Sequence, residues 1–224
     1  MSTRTTIVIV LVFLLGSALA GILLWNRLPD PMASHWDIHD QVNGTLPKFW
    51  GVFLVPLISL GLGALFLLIP AIDPLKANIA GFRETFNWFI VLMMLFLTYV
   101  YGLSLAWNLG LTHFQMSEFL LPALGFLFIF LGFMLRKAKR NFFIGIRTPW
   151  TLSSDKVWDQ THRVGSRLFM ASGVATILGS FFGGVTAFWS LLAPLLGSTI
   201  FLVIYSYLLY VHETKPTGGQ CDGS

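Results

Sequence analysis

Six apolar stretches divide the chain, at about Thr5–Trp25, Phe49–Ile72, Phe86–Trp107, Phe119–Leu135, Leu168–Phe188 and Leu191–Val211, and none contains Asp, Glu, Lys, Arg or His. A helix of about 20 residues crosses the ~30 Å hydrocarbon core of a bilayer, and these stretches are close to that length. In lipid a helix satisfies its own backbone hydrogen bonds, so such segments insert at little cost. A soluble domain would expose them, and 55% hydrophobic against 11% charged residues is far from soluble composition. The chain therefore reads as all-α: a polytopic membrane protein with six transmembrane helices and no separate water-soluble domain.

Basic residues orient the bundle. All Lys and Arg except Arg27 and Lys48 fall at the N-terminal end, in the second and fourth gaps, or in the tail, with the densest group running from Arg136 to Arg167. By the positive-inside rule both termini and those two gaps face the cytoplasm of a multi-pass cell-membrane protein. The first gap, with Asp30, Asp37 and Asp40, faces outward. The basic pI reflects this topology, and anionic headgroups rather than nucleic acid are its expected partner. Three regions follow: 1–85, two spans with an outer loop at 26–48; 86–214, four spans with an inner loop at 136–167; and a disordered tail, 215–224. Arg4 and Ala18-Leu19-Ala20 resemble a signal and its cleavage site, but the apolar run continues to Trp25, so the expectation is an uncleaved first span. Cys221 is the sole cysteine and permits no internal disulfide.

Ion-coupled transport usually needs an ionisable group inside the membrane, and the spans hold none. Asn87, Tyr99, Tyr101, Ser104 and Asn108, in or beside the third span, are expected to hydrogen-bond between helices. Gly125, Gly132, Gly179 and Gly183 are expected to let helices approach closely.

The two long loops carry the remaining information. In the outer loop His35, Trp36, Asp37 and His39 are the candidate residues, with Asp40 a further donor. They hold enough donor atoms for a metal, yet the sequence shows no helix that would align them. The favoured reading is a folded hairpin with His and Trp at the membrane interface, and no metal. In the inner loop, Ser153 or Ser154 suits a helix N-cap and Asp155 a first turn. Val157, Trp158, Thr161, Val164 and Leu168 then share one face. This predicts an amphipathic interfacial helix leading into the fifth span. Nucleophile elbow, metalloprotease and phosphate-loop motifs are all missing, so no catalytic residue, enzyme activity or cofactor is expected.

The run Asn141-Phe142-Phe143-Ile144-Gly145-Ile146-Arg147-Thr148-Pro149-Trp150-Thr151-Leu152, with Val157-Trp158 and Thr161-His162-Arg163, resembles the signature of the SdpI-type bacterial immunity proteins. Leu28-Pro29, Ser34-His35-Trp36, Gly44, Pro56, Pro70-Ala71-Ile72-Asp73-Pro74 and Asn78-Ile79 resemble, more loosely, the small membrane domain often joined to it. The resemblance implies protection against a secreted killing peptide and, in the best-known member, retention of a cytoplasmic autorepressor at the membrane. It also makes Phe143, Gly145, Arg147, Thr148, Pro149, Trp150, Trp158, Thr161, His162 and Arg163 the candidate functional face. Ser166 stands where the family pattern suggests a second glycine after Gly165, which puts close helix approach there in question. The alternative function is a passive facilitator or exporter of a small or amphiphilic solute.

Overall fold

The computed structural model describes residues 1–111 and 114–215. Helix α1 (Thr3–Leu24) starts at Ser2, whose hydroxyl accepts the Thr5 N–H. Strands β1 (Met32–Trp36) and β2 (Val42–Leu46) form an antiparallel hairpin in the first gap. Helices α2 (Lys48–Ile72), α3 (Lys76–Ala80), α4 (Arg83–Asn108) and α5 (Met116–Lys137) follow. The short α6 (Pro149–Ser153) then leads into α7 (Asp155–Ser180) and α8 (Gly184–Thr214). The bundle is helical as expected, and the hairpin is its only sheet among the described residues.

Five helices, α1, α2, α4, α5 and α8, are long and apolar enough to cross a membrane. The last two expected spans differ from the reading above. The interfacial helix and the fifth span are one continuous helix, α7, which ends at Ser180 rather than Phe188. Its apolar part, from Leu168 to Ser180, is shorter than the ~20 residues a free-standing span needs. The chain instead turns at Phe181–Gly183, with Gly183 at φ 64° and Gly184 at φ 48°, inside what looks like continuous hydrophobic sequence. Glycine adopts that left-handed backbone without steric penalty, so the turn is set by backbone rather than by polarity. The tail from residue 216 onward, with Cys221, lies outside the described residues.

Packing explains how α7 sits among apolar neighbours. It runs antiparallel to α5, and small residues bring the two backbones together. A Cβ on Gly132 would lie 2.6 Å from the Ser166 carbonyl oxygen, and one on Gly125 would lie 2.7 Å from that of Gly173. Ser166 is buried, so the close approach comes from Gly132 across the interface and does not require a glycine at 166. On its other side α7 meets α8, with Gly179 packed against Ser190 and Ser172 within 3.4 Å of Ser198. In lipid such close van der Waals contact and interhelical hydrogen bonding replace the hydrophobic drive. Gly183 belongs to the turn and takes no part in that packing. The α1, α2 and α4 contact is more aromatic, with Phe66, Phe86 and Phe89 clustered against Val10, Ile90 and Met94.

The polar residues of the third span mostly join elements. Asn87 donates to the Met1 carbonyl and to Thr3, Tyr99 to the Phe119 carbonyl, and Asn108 to Ala33. Tyr101 packs against Gly21 of α1. Of this set Ser104 lines the cavity beneath the hairpin, and Tyr99 borders a smaller apolar one between α4 and α5.

Candidate functional site

The two ends of the bundle are built differently. At the basic end, the segment between α5 and α6 folds around Asn141, which is fully buried. Its amide donates to the Lys139 and Ile144 carbonyls, and its Oδ1 accepts from Phe143 N–H (2.9 Å) and Ile144 N–H (2.6 Å). All of its main hydrogen-bonding capacity is used to hold one turn.

Gly145 follows at φ 118°. A side chain there would strike His162 Nε2 and approach the Trp158 ring at 3.2 Å. Glycine is thus required twice, by its backbone angle and by its neighbours. Trp158 and His162 lie one turn apart on α7 with rings stacked at 3.9 Å. Trp158 Nε1 donates to the Ala138 carbonyl at 3.0 Å. His162 Nε2 accepts the Ile146 N–H at 3.0 Å, so its proton is on Nδ1, facing the Trp158 carbonyl at 2.9 Å. Burial lowers its pKa to about 4, against a smaller opposing effect of the Trp158 carbonyl. The imidazole is therefore neutral at physiological pH and works as a backbone acceptor. That geometry does not suit a general base, because the basic nitrogen is already occupied.

Thr148 and Thr151 form a reciprocal capping pair at the start of α6, with Pro149 in its first turn. Thr151 also donates to the Ile146 carbonyl at 2.8 Å, and Thr148 meets Ser206 of α8 at 3.1 Å. Trp150 packs on Tyr207, their ring centres 5.1 Å apart. Ser154 is the N-cap of α7, as expected, and also bonds Glu213 at 2.8 Å.

These positions sort the candidate residues into two groups. Trp158, Thr161 and His162 are buried, as is Thr148, while Gly145 is wedged against the stacked rings and Phe143 packs against the core. They build the platform. Arg147, Pro149 and Arg163 are exposed and are the ones a partner could touch. Trp150 is half-buried between the two groups.

Two further residues clamp this end from the other half of the chain. Asp73, buried where α2 ends, accepts Leu75 N–H at 2.6 Å and Phe142 N–H at 2.9 Å. Asn78 on α3 donates to the Arg140 carbonyl at 2.8 Å. Arg140 in turn reaches the Leu152 carbonyl and Asp155, each at 2.7–2.8 Å. The sequence placed Asp73 and Asn78 inside a family-like motif without a role; a buried carboxylate joining segments 69 residues apart leaves no local pattern to read.

At the opposite end, Asp37 Oδ1 accepts the His39 and Gln41 N–H groups and closes the tip of the hairpin. The Gln41 and then the His39 backbone bonds hold the Asp37 carboxyl below its usual range. Asp40, at φ 57°, accepts Ser117 N–H (2.8 Å) and Ser117 Oγ–H (2.6 Å). It thereby caps α5 from a distance, where a negative group suits the helix dipole. Asn108 at the end of α4 grips both backbone groups of Ala33, at 2.7 and 3.0 Å. Trp36 packs edge-on against Trp107. His35 and His39 are both exposed, and the described residues contain no group of three or more His, Cys, Asp or Glu able to hold a metal. Beneath the hairpin lies a cavity of about 690 Å³.

The fold and these ends define a multi-pass membrane protein with a hydrogen-bonded basic platform at one end and a hairpin-covered cavity at the other. Residues 137–206 match the SdpI/YfhL protein family and residues 12–60 match a domain of unknown function (DUF1648). The chain is 26% identical over 196 residues to the immunity protein SdpI of Bacillus subtilis (strain 168), covering 87% of this chain and 90% of that protein. Over most of its length the chain is thus similar to an SdpI protein, and its C-terminal half carries the SdpI/YfhL match. No solved structure matches it.

Proposed function

We propose that this protein is a membrane immunity protein that protects its cell against a secreted, membrane-active killing peptide. Its hairpin end faces outward; its basic end and both termini face the cytoplasm, with six crossings in all. The observation that carries the reading is that the SdpI-family match, residues 137–206, coincides with the platform segment and with α7 and α8, which hold it. The likeness to an immunity protein across most of both chains supports it further.

In this reading the regions 1–85 and 86–214 act as one unit, joined through Asp73 and Asn78. The lipid bilayer surrounds the bundle, and Arg136 and Lys137 meet anionic headgroups. Arg147, Pro149 and Arg163 are the docking points for a cytoplasmic repressor. The role is one of binding rather than catalysis.

The alternative, a passive facilitator, draws less support, because Asn87, Tyr99 and Asn108 of α4 are engaged by neighbouring segments and no ionisable group lies within the apolar spans. The test is expression in a bacterium sensitive to a killing peptide and lacking its own immunity. Survival should rise when the chain is present at normal membrane levels. Unchanged survival across the peptides to which its host is exposed would contradict the reading.

A further inference from the structure

Four helices bring the same end to the cavity beneath the hairpin: the starts of α2, α5 and α8 and the end of α4. Its walls are apolar, with Trp50, Leu54, Val100, Leu120, Leu121 and Phe188 facing one another across the space. Its roof is the hairpin, whose lining residues include His35, Asp37 and Asp40. At about 690 Å³ it falls in the range of sites that enclose a drug-sized ligand, about 300–1,000 Å³. A folded partner could not enter it; a segment of a few residues could.

The charge of the lining narrows the occupant. Among the described residues no Lys or Arg lines the cavity, while two carboxylates do. Asp40 is engaged by Ser117, but its charge remains beside the space. Asp37 is held in its ionised form by backbone N–H groups that use one of its oxygens, Oδ1, and leave Oδ2 free among the described residues. A cation beside Asp37 with an apolar body between the helices would satisfy both parts of the lining, and an anionic amphiphile would meet two like charges.

We propose that this cavity is a binding site for a short amphiphilic peptide segment, its apolar side chains held by α2, α4, α5 and α8 and its basic side chain or amine held near Asp37 and Asp40. The inference rests on the immunity reading, since it names the site at which such a peptide would be received. The hairpin and the four helices around the segment would shield it from the lipid phase in which it would otherwise act.

The probe is a fluorescein-labelled peptide of alternating Leu and Ala ending in Lys, titrated by anisotropy into the full chain in lipid nanodiscs. Matched probes end in Glu, and a dodecylammonium competitor carries the same charge on an acyl chain. The Lys peptide should bind at least about tenfold more tightly than the Glu peptide. Val100→Trp, which fills the cavity, should weaken binding by about tenfold or more, and Asp37→Asn by about three- to tenfold, largely through the charge. Ile200→Trp, on the exposed face of α8, should bind as the unchanged chain does. Equal binding to the Val100→Trp chain would overturn the proposal. So would dodecylammonium displacing the peptide at equal or lower concentration, which would mark the cavity as an acyl-chain site. Because binding is read on purified protein, its failure alongside intact cell survival would remove the cavity and leave the immunity reading standing; binding without survival would do the reverse.

Discussion

The basic end and the hairpin end use the same kind of residue for opposite purposes. At the basic end Asp73, Asn141, Thr148, Thr151 and His162 spend their hydrogen bonds on backbone groups inside the protein, and aromatic rings fill the remaining space. At the hairpin end Asp40, Asn108, Trp36 and the buried Met32 fasten a small sheet, and a cavity of about 690 Å³ lies beneath it. Local stability follows buried contacts and satisfied backbone groups. The comparison therefore teaches that one end is filled by its own side chains, while the other keeps open space under an anchored hairpin.

Substitutions at the two ends should separate accordingly. Trp158→Ala should have the largest effect, because it empties a fully buried site and breaks the bond to Ala138. A loss of about 3–5 kcal/mol is expected, seen as low membrane abundance and a lower melting temperature in detergent. Gly145→Ala should cost somewhat less, about 1–3 kcal/mol, from a strained backbone against His162 and Trp158. An unshifted melting temperature would show that the platform relaxes freely, which would break the comparison. Asp73→Ala should leave the part-buried Phe142 and Leu75 N–H groups without an acceptor, at about 1–3 kcal/mol in all, and open 138–153 to protease.

Much of this fold is legible in the amino-acid sequence, and the gaps have physical reasons. Apolar length and charge separation are local properties, so α1, α2, α4 and α5 fell where the runs placed them, and Ser154 and Asp155 marked the start of α7. The end of α7 leaves no such mark, because Ser172, Gly173, Thr176 and Gly179 serve close packing and not lipid, while Phe181 and Phe182 in the turn are apolar and exposed. For the site, the Asn141–Arg163 segment was found as a whole, but its division into buried support and exposed surface depends on which face of α7 meets α5 and α8. Asp40, Asp73 and Asn108 act on partners 69 to 77 residues away, a distance over which spacing carries no signal.

Acidification sharpens the comparison further. Free histidine has a pKa near 6.5, and that of buried His162 is about 4. Between these values the unfolded chain binds a proton that the folded chain does not, so stability falls as pH drops through the window. The slope is at most about 1.4 kcal/mol per pH unit. Melting temperature recorded from pH 7 to pH 5 should therefore decrease, and His162→Phe should remove that slope while lowering stability at pH 7. The smallest effect belongs to the surface: Arg147→Ala loses an exposed bond to the Phe142 carbonyl, and stability should change by no more than about 0.5 kcal/mol. A much larger loss would move Arg147 from the docking surface into the framework.

Hydrogen–deuterium exchange on the full chain in lipid nanodiscs tests the difference between the ends most directly. Protection at Phe142, Ile144 and Ile146 should exceed that at residues 37–43 by about a hundredfold or more, and a bound peptide should slow exchange in the hairpin alone. Equal or faster exchange at Phe142–Ile146 would contradict the account of a filled platform at one end and a less tightly packed hairpin at the other.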